Sequence, residues 1–363
     1  FSLNFYNKFI YLLLIFILAF ATFAKADCGF DFNAYLRVIN YEESSGSFFF
    51  DFFIREAVNN LRIPYKYTTI FFPIISFSGL LLIKKNDIPI YFQNIISFTA
   101  LIYSIFYISL GGLTKQGLSI SLYILLITLL SSIFYKIKRS NISLKKYLVN
   151  NIFRSTLTLF TIFSSITSHY AYGFGLITFN FIAFQIKNLP SIIFYLFNSF
   201  TLNKNSLIKI LFLSLSVPVL LLVRNIPRYG NYFTKAYRLY DSDTVGYYLH
   251  LIPWSICIIT LFLIIKENPE IKNFLEFKFF FMLIFILYFF CIYFDINSNI
   301  YGRYSNSALL IFVGILVISG INRSSISQRT DLIIKTSILI QSLLILYRSI
   351  GLNIWFENNI LCY

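Results

Sequence analysis

The strongest constraint in this chain is a recurrence. Apolar runs of bilayer-spanning length follow one another along its 363 residues, separated by polar breaks. A membrane span needs roughly 20 apolar residues, in a range of about 17–25. Runs of that kind lie near 9–24, 67–83, 88–110, 117–135, 152–168, 173–190, 206–223, 248–265, 279–294, 305–321 and 332–350, about eleven in all. Hydrocarbon offers no partner to a backbone N–H or C=O, so each run must bond within itself as a helix. The expected fold is therefore all-α: a polytopic transmembrane helical bundle of about eleven spans, one membrane domain over 1–363. The region 173–202 allows two readings. It forms one span and an interfacial stretch broken at Pro190, or two short re-entrant segments.

Composition excludes a water-soluble alternative. Charged residues make up 12% of the chain and apolar ones 58%, whereas soluble domains carry about 25% charged residues. The first run, with Lys8 before it and Ala24-Lys25-Ala26 after it, has the outline of a signal peptide. Because many further runs follow, it reads as an uncleaved first span.

The net charge of +15 does not indicate nucleic acid. The cations are scattered over loops between apolar runs, with no basic face and no aromatic-basic reader motif. Such charges orient a membrane protein, being enriched on the cytoplasmic side. With the N-terminus inside and alternating spans, the inner loops collect more Lys and Arg than the outer ones. The densest short group, Lys136, Lys138, Arg139, Lys145 and Lys146, falls inside. The C-terminus then lies outside. Cys28, Cys257, Cys291 and Cys362 include no CxxC pair, and neither a metal nor a cofactor is expected. Cys28 and Cys362 both fall outside, where a disulfide is permitted but is not fixed by the sequence.

This orientation leaves two long extracytoplasmic loops, 25–66 and 224–247, and most of the carboxylates, on the outer side. Connections longer than about 12–15 residues are functional more often than structural. In 25–66, the stretch Phe48 to Leu61 can be written as an amphipathic helix lying on the membrane surface. Loop 224–247 combines Arg224, Arg228, Lys235 and Arg238 with several tyrosines and the pair Asp241 and Asp243. Arginine forks bind phosphate oxygens bidentately. Tyrosine rings stack on apolar faces and also favour the bilayer interface. A carboxylate can take a proton from a hydroxyl. The set suits a lipid-anchored, phosphorylated glycan; it equally describes an aromatic belt with lipid-binding arginines. His169, at the outer end of a span in SSITSHY, can exchange protons near neutral pH or simply bond a carbonyl. His250 reads as structural. Arg303 and Tyr304, in GRYSNSALL, open a span at its outer N-terminus, where free backbone N–H groups favour an anion; a snorkelling arginine would look the same.

Four segments taken together resemble the O-antigen and exopolysaccharide polymerase family of the Wzy and EpsG type. DFNAYLRVINYEESSGSFFFDFF is similar to that family's acidic-aromatic stretch after the first span. GGLTKQGLSISLYIL resembles its Arg-Gln opening of a central span, with Lys115 beside Gln116 in place of the arginine. SSITSHY carries His169 where the family has a span-end histidine, and GRYSNSALL resembles its late Arg-aromatic motif at Arg303. The resemblance implies metal-independent glycosyl transfer at the outer face of a bacterial inner membrane. The substrates would be polyprenyl-diphosphate-linked oligosaccharides, with a chain-length regulator and a flippase as possible partners. On that footing Arg224, Arg228, Arg238, Arg303, Tyr304, Lys115 and Gln116 are candidates for holding diphosphate and glycan. His169, Asp241 and Asp243 are candidates for the base. Two other classes stay open. One is a different lipid-linked-sugar transferase or ligase, for which an acidic pair such as Glu42 and Glu43 would speak. The other is a flippase or transporter, which predicts mid-span charges and an internal repeat; mid-span charges are nearly absent and no repeat is evident.

Overall fold

The computed structural model describes residues 3–23, 32–84, 87–110, 112–140, 147, 149–168, 252–253, 255–257, 259–260, 263–264, 308–314, 316–317 and 327–359. Among these residues the secondary structure is helical and contains no strand. The chain divides into two compact units, one built from Phe1–Thr178 with Leu309–Tyr363 and one from Phe179–Ala308.

In the first unit, α1 (Leu3–Phe23) leads into α2 (Phe32–Ile39) and α3 (Phe48–Arg55). A π-turn (Glu56–Asn60) and a 3-10 turn (Tyr65–Ile70) then lead into α4 (Phe71–Leu82). Next come α5 (Ile90–Ser109), α6 (Lys115–Ser140) and α7 (Ile152–Ser168), and a long helix runs over Gln328–Asn359. Among the described residues, four helical stretches are long and apolar enough to cross a membrane: Tyr65–Leu82, Ile90–Ser109, Lys115–Ile133 and Gln328–Tyr347. They coincide with expected spans, as do the shorter apolar helix Asn7–Thr22 and α7. The expected spans near 173–190, 206–223 and 279–294 lie outside the described residues.

Burial follows the logic of a bilayer. On α1, Phe9, Leu12, Phe16 and Phe20 are exposed, while Tyr11 and Leu18 face the protein and Tyr11 meets Phe77 of α4. Large apolar side chains can point outward where hydrocarbon, not water, is the solvent. The centre of the unit is α6. It packs against α4, α5 and α7, and 94% of its most apolar window is buried in the protein, against 39% for the helix at 328–347.

Small residues allow that packing, as they do between membrane helices generally. A Cβ on Gly79 of α4 would sit 2.9 Å from Thr128 Cβ, and one on Gly117 would sit 2.7 Å from the Phe72 ring. The Ser119 hydroxyl donates to the Ser165 carbonyl at 3.1 Å, and the Ser165 hydroxyl returns the bond to the Ser119 carbonyl at 3.2 Å. This reciprocal bridge joins α6 to α7. The tight turn at 65–70 has a local cause. Pro73 lies in the first turn of α4 and has no N–H for the Thr69 carbonyl, so the α-helical bonding pattern is interrupted there and the residues before Phe71 take the tighter turn. The Thr68 and Thr69 hydroxyls bond the carbonyls of Tyr65 and Lys66 instead.

Helices α4 to α7 alternate in direction, which sorts their connections to two ends. At one end Asp87, in the α4–α5 connection, bonds Arg154 of α7 at 2.6 Å, and Arg154 also donates to the Ser132 hydroxyl of α6 at 3.0 Å. The other end carries α2, α3 and the turn before α6. In the second unit, Cys257 is buried and its thiol donates to the Ala308 carbonyl at 3.6 Å.

Candidate functional site

The segment 32–70 is not a slack loop. It folds as a cap over one end of the first unit. Helix α2 stops where Tyr41 takes a left-handed φ of 63°, after which the chain reverses through Glu42 to Ser47. The last carbonyls of a helix need outside donors, and α3 with its π-turn supplies them. Arg55 Nε donates to the Val38 carbonyl at 2.7 Å and Asn59 Nδ2 to the Ile39 carbonyl at 2.9 Å. A second Arg55 nitrogen reaches the Glu43 carbonyl at 3.0 Å, and the guanidinium lies 4.4 Å from the centre of the Tyr41 ring.

Helix α3 does not lie with its whole apolar face toward lipid. Phe50 and Ile54 are fully buried. Phe50 packs on Tyr35 at 5.0 Å, Phe49 on Phe160 of α7 at 5.8 Å, and Phe53 on Phe71 of α4 at 4.9 Å. The aromatic run that made this stretch look amphipathic is spent largely on protein contacts. Phe48 and Phe52 alone among its phenylalanines are well exposed.

Asp51 is the organising carboxylate of the cap. It is buried, and the Ser-Ser-Gly-Ser turn wraps it. One oxygen accepts from the Ser44 hydroxyl at 2.7 Å and the Ser45 backbone N–H at 2.9 Å, and the other accepts from the Ser45 hydroxyl. Hydrogen bonds to a charged acceptor are stronger than neutral ones, so this turn is firmly held. It is also tied to the bundle. Lys115, first residue of α6, donates from Nζ to the Ser45 carbonyl at 3.0 Å. The Tyr65 hydroxyl donates to the Leu113 carbonyl at 3.1 Å, and the Leu113 N–H donates to Thr68 at 3.3 Å. Gly112 is required here, because a Cβ at that position would run into the Tyr65 ring.

A cavity of about 430 Å³ opens in the cap. Tyr41, Phe48 and Phe52 form its aromatic side; Ser44, Asp51, Arg55 and Glu56 form its polar side. The Glu56 carboxylate accepts from Asn60 Nδ2 at 2.6 Å through one oxygen. Such a lining can grip a ring on its flat faces and accept bonds from hydroxyls at its edge. Among the described residues no three His, Cys, Asp or Glu converge as a metal site.

Of the residues singled out in the sequence, Lys115 and Gln116 lie at this cap, Lys115 bonded as above and Gln116 half-buried next to it. His169, Arg224, Arg228, Arg238, Asp241, Asp243, Arg303 and Tyr304 lie outside the described residues, as do Cys28 and Cys362. Glu43, one of the acidic pair, lies 3.4 Å from Arg37 on an exposed surface. The sequence reading did not single out Tyr41, Asp51, Arg55 and Glu56 as a set. The available signal was the Ser-rich turn ahead of an acid in a helix's first turn, a helix-start signature. The chain matches no protein-family model, no curated protein and no solved structure.

Proposed function

We propose that this chain is a polysaccharide polymerase of the O-antigen or exopolysaccharide type. It joins polyprenyl-diphosphate-linked repeat units by glycosyl transfer at the outer face of a bacterial inner membrane. One observation carries the reading furthest. Three of the four segments that bear the family resemblance meet at one end of the helical bundle, although they are far apart in sequence. The acidic-aromatic segment touches the Lys115-Gln116 segment through Ser45 and Lys115. That segment in turn is bridged to SSITSHY through Ser119 and Ser165. Convergence of distant motifs at one place is what a shared substrate site requires, and chance likeness in hydropathy does not demand it.

In this reading the growing glycan on its lipid diphosphate is the donor, and a fresh lipid-linked repeat unit is the acceptor. The acceptor hydroxyl attacks the donor's anomeric carbon, a C–O bond forms, and the bond to the lipid diphosphate breaks. Cations are needed where negative charge collects on the leaving group; Arg224, Arg228, Arg238 and Arg303 are the residues proposed for it. A base must receive the hydroxyl's proton; His169 is the first choice, and Asp241 or Asp243 the second. The N-terminus is proposed to lie in the cytoplasm and the C-terminus outside. A transferase or ligase acting once on a lipid-linked sugar remains the nearest alternative. The Glu42–Glu43 pair would favour it, but Glu43 is engaged by Arg37.

The test is deletion of the gene in its host, with electrophoresis of surface polysaccharide. A polymerase predicts a ladder collapsing to single repeat units. An unchanged ladder overturns the proposal, and complete loss of the repeat unit moves the protein to an earlier step. In the complemented strain, Arg303→Ala should shorten or abolish polymer; unchanged length and amount would remove Arg303 from the diphosphate site.

A further inference from the structure

The cavity in the cap has a chemistry of its own, and what it holds is inferred on the footing of the polymerase reading. We infer that the cavity lined by Tyr41, Phe48, Phe52 and Glu56 is a saccharide subsite that holds a neutral sugar ring of the lipid-linked glycan and does not hold its diphosphate.

Charge is the first argument. The ionisable groups lining the cavity are Asp51 and Glu56 against Arg55, a net negative lining that repels a diphosphate. The guanidinium is committed as well. Its Nε and one further nitrogen bond the Val38 and Glu43 carbonyls at 2.7 and 3.0 Å, and its face lies over Tyr41. Those bonds use the side-on edge of the guanidinium, so a phosphate could not take that two-pronged grip without displacing them. Arg55 therefore acts as a bracket that holds Tyr41 in its left-handed conformation.

Shape and chemistry supply the second argument. Phe48 and Phe52 stand four residues apart, on one face of a helix. Both are well exposed, whereas Phe49 and Phe50 of the same helix are buried and Phe53 packs on Phe71. Exposed aromatic side chains beside fixed acceptors match a ring that has apolar C–H faces and an edge of hydroxyls. The acceptors are of two kinds. Glu56 uses one oxygen on Asn60; its other oxygen and the Tyr41 hydroxyl have no partner among the described residues. Asp51 is held by Ser44 and Ser45 and fixes the floor. At about 430 Å³ the cavity falls inside the range of roughly 300–1,000 Å³ typical of small-molecule sites.

Position supplies the third. The Ser-rich turn that forms the cavity's polar side is held by Lys115, so the cavity adjoins the segment opening α6. A sugar seated there would lie beside one of the segments proposed to carry the reaction. The arginines proposed for the diphosphate all belong to other segments.

The test uses the full chain in lipid nanodiscs and two probes. One is the neutral oligosaccharide released from the host's own surface polysaccharide and freed of phosphate; the other is inorganic pyrophosphate. Phe52→Ala changes an exposed ring, Glu56→Gln a half-buried carboxylate, and Tyr41→Phe removes only a hydroxyl. Each should weaken binding of the oligosaccharide, by about tenfold for loss of the Phe52 ring, and leave pyrophosphate binding unchanged. The result that overturns the inference is wild-type oligosaccharide affinity in all three variants, or weakened pyrophosphate binding in any of them. Oligosaccharide that fails to bind even the wild-type chain overturns it too, as does displacement by phospholipid alone. Gene deletion separates this failure from that of the function. If deletion collapses the polymer while the three variants restore full chain length and full binding, the subsite is wrong and the polymerase reading stands. If deletion leaves the polymer intact, the polymerase reading falls.

Discussion

Replacing Asp51 by alanine should release the cap while leaving the helical bundle beneath it intact. The carboxylate accepts three hydrogen bonds, from the Ser44 hydroxyl, the Ser45 N–H and the Ser45 hydroxyl. Bonds to a charged group are worth roughly 1.5–3 kcal/mol each where the donors are buried. Here the donors lie near the surface, and a hydroxyl that loses Asp51 can turn to water. The backbone N–H of Ser45 cannot turn in this way. Counting that bond fully and the hydroxyls at a fraction gives about 2–4 kcal/mol, concentrated in the turn 43–47 and the start of α3. Because every 1.4 kcal/mol is a factor of ten, amides of the cap should exchange with solvent roughly 30- to 1,000-fold faster. Hydrogen-exchange mass spectrometry in detergent reads this directly, peptide by peptide. Peptides from Leu118–Ile133, at the buried centre of the unit, should be unaffected, since local openings need not reach the core. Asp51→Asn keeps one acceptor oxygen and should fall between. Unchanged exchange in residues 44–55 of Asp51→Ala would refute the carboxylate's organising role. Equal acceleration in the cap and in α6 would refute the separation of cap from bundle.

Other consequences follow at the bundle itself. Asp87→Ala or Arg154→Ala leaves one charge of a largely buried pair unpaired and should cost about 3 kcal/mol. The double variant should lose less than the two single losses summed, as judged by thermal unfolding in detergent; strict additivity would mean the pair is not coupled. Gly117→Ala drives a methyl group to 2.7 Å from the Phe72 ring and should destabilise by about 1–3 kcal/mol, whereas Ala at the exposed Val149 should be neutral in the same assay. Lys115→Met removes the tie between α6 and the Ser45 carbonyl. It should speed hydrogen exchange in 43–47 and shorten the polysaccharide; full-length polymer with a loosened turn would give Lys115 a structural role alone.

The helices could be read from the sequence because the bilayer imposes length and apolarity on each one independently of its neighbours. The expected runs at 88–110 and 152–168 correspond closely to Ile90–Ser109 and Ile152–Ser168. Ends were less well read where polar residues prolong a helix beyond its apolar part. Helix α6 runs on through Lys136, Lys138 and Arg139 to Ser140, and the expected run at 332–350 lies within Gln328–Asn359. The cap was another matter. Its segment stood out by its length and its aromatic and acidic residues, but its architecture depends on partners that local pattern does not identify. Arg55 bonds Val38 across 17 positions, and Lys115 bonds Ser45 across 70. Periodicity showed an amphipathic stretch at Phe48–Leu61 and could not say that Phe49 and Phe53 would meet Phe160 and Phe71 rather than lipid. The four motif segments were visible singly; the meeting of three of them became apparent only in three dimensions.

The central claim, that this membrane protein joins lipid-linked repeat units, is tested most directly by reconstitution. The purified chain would be placed in proteoliposomes with polyprenyl-diphosphate-linked repeat units extracted from a strain lacking the gene, and the products resolved by electrophoresis and mass spectrometry. The account predicts that repeat units are consumed, that a ladder of multiples appears, and that free polyprenyl diphosphate is released with each bond formed. Lipid-linked units that remain single in the presence of folded protein, with no polyprenyl diphosphate released, would contradict it.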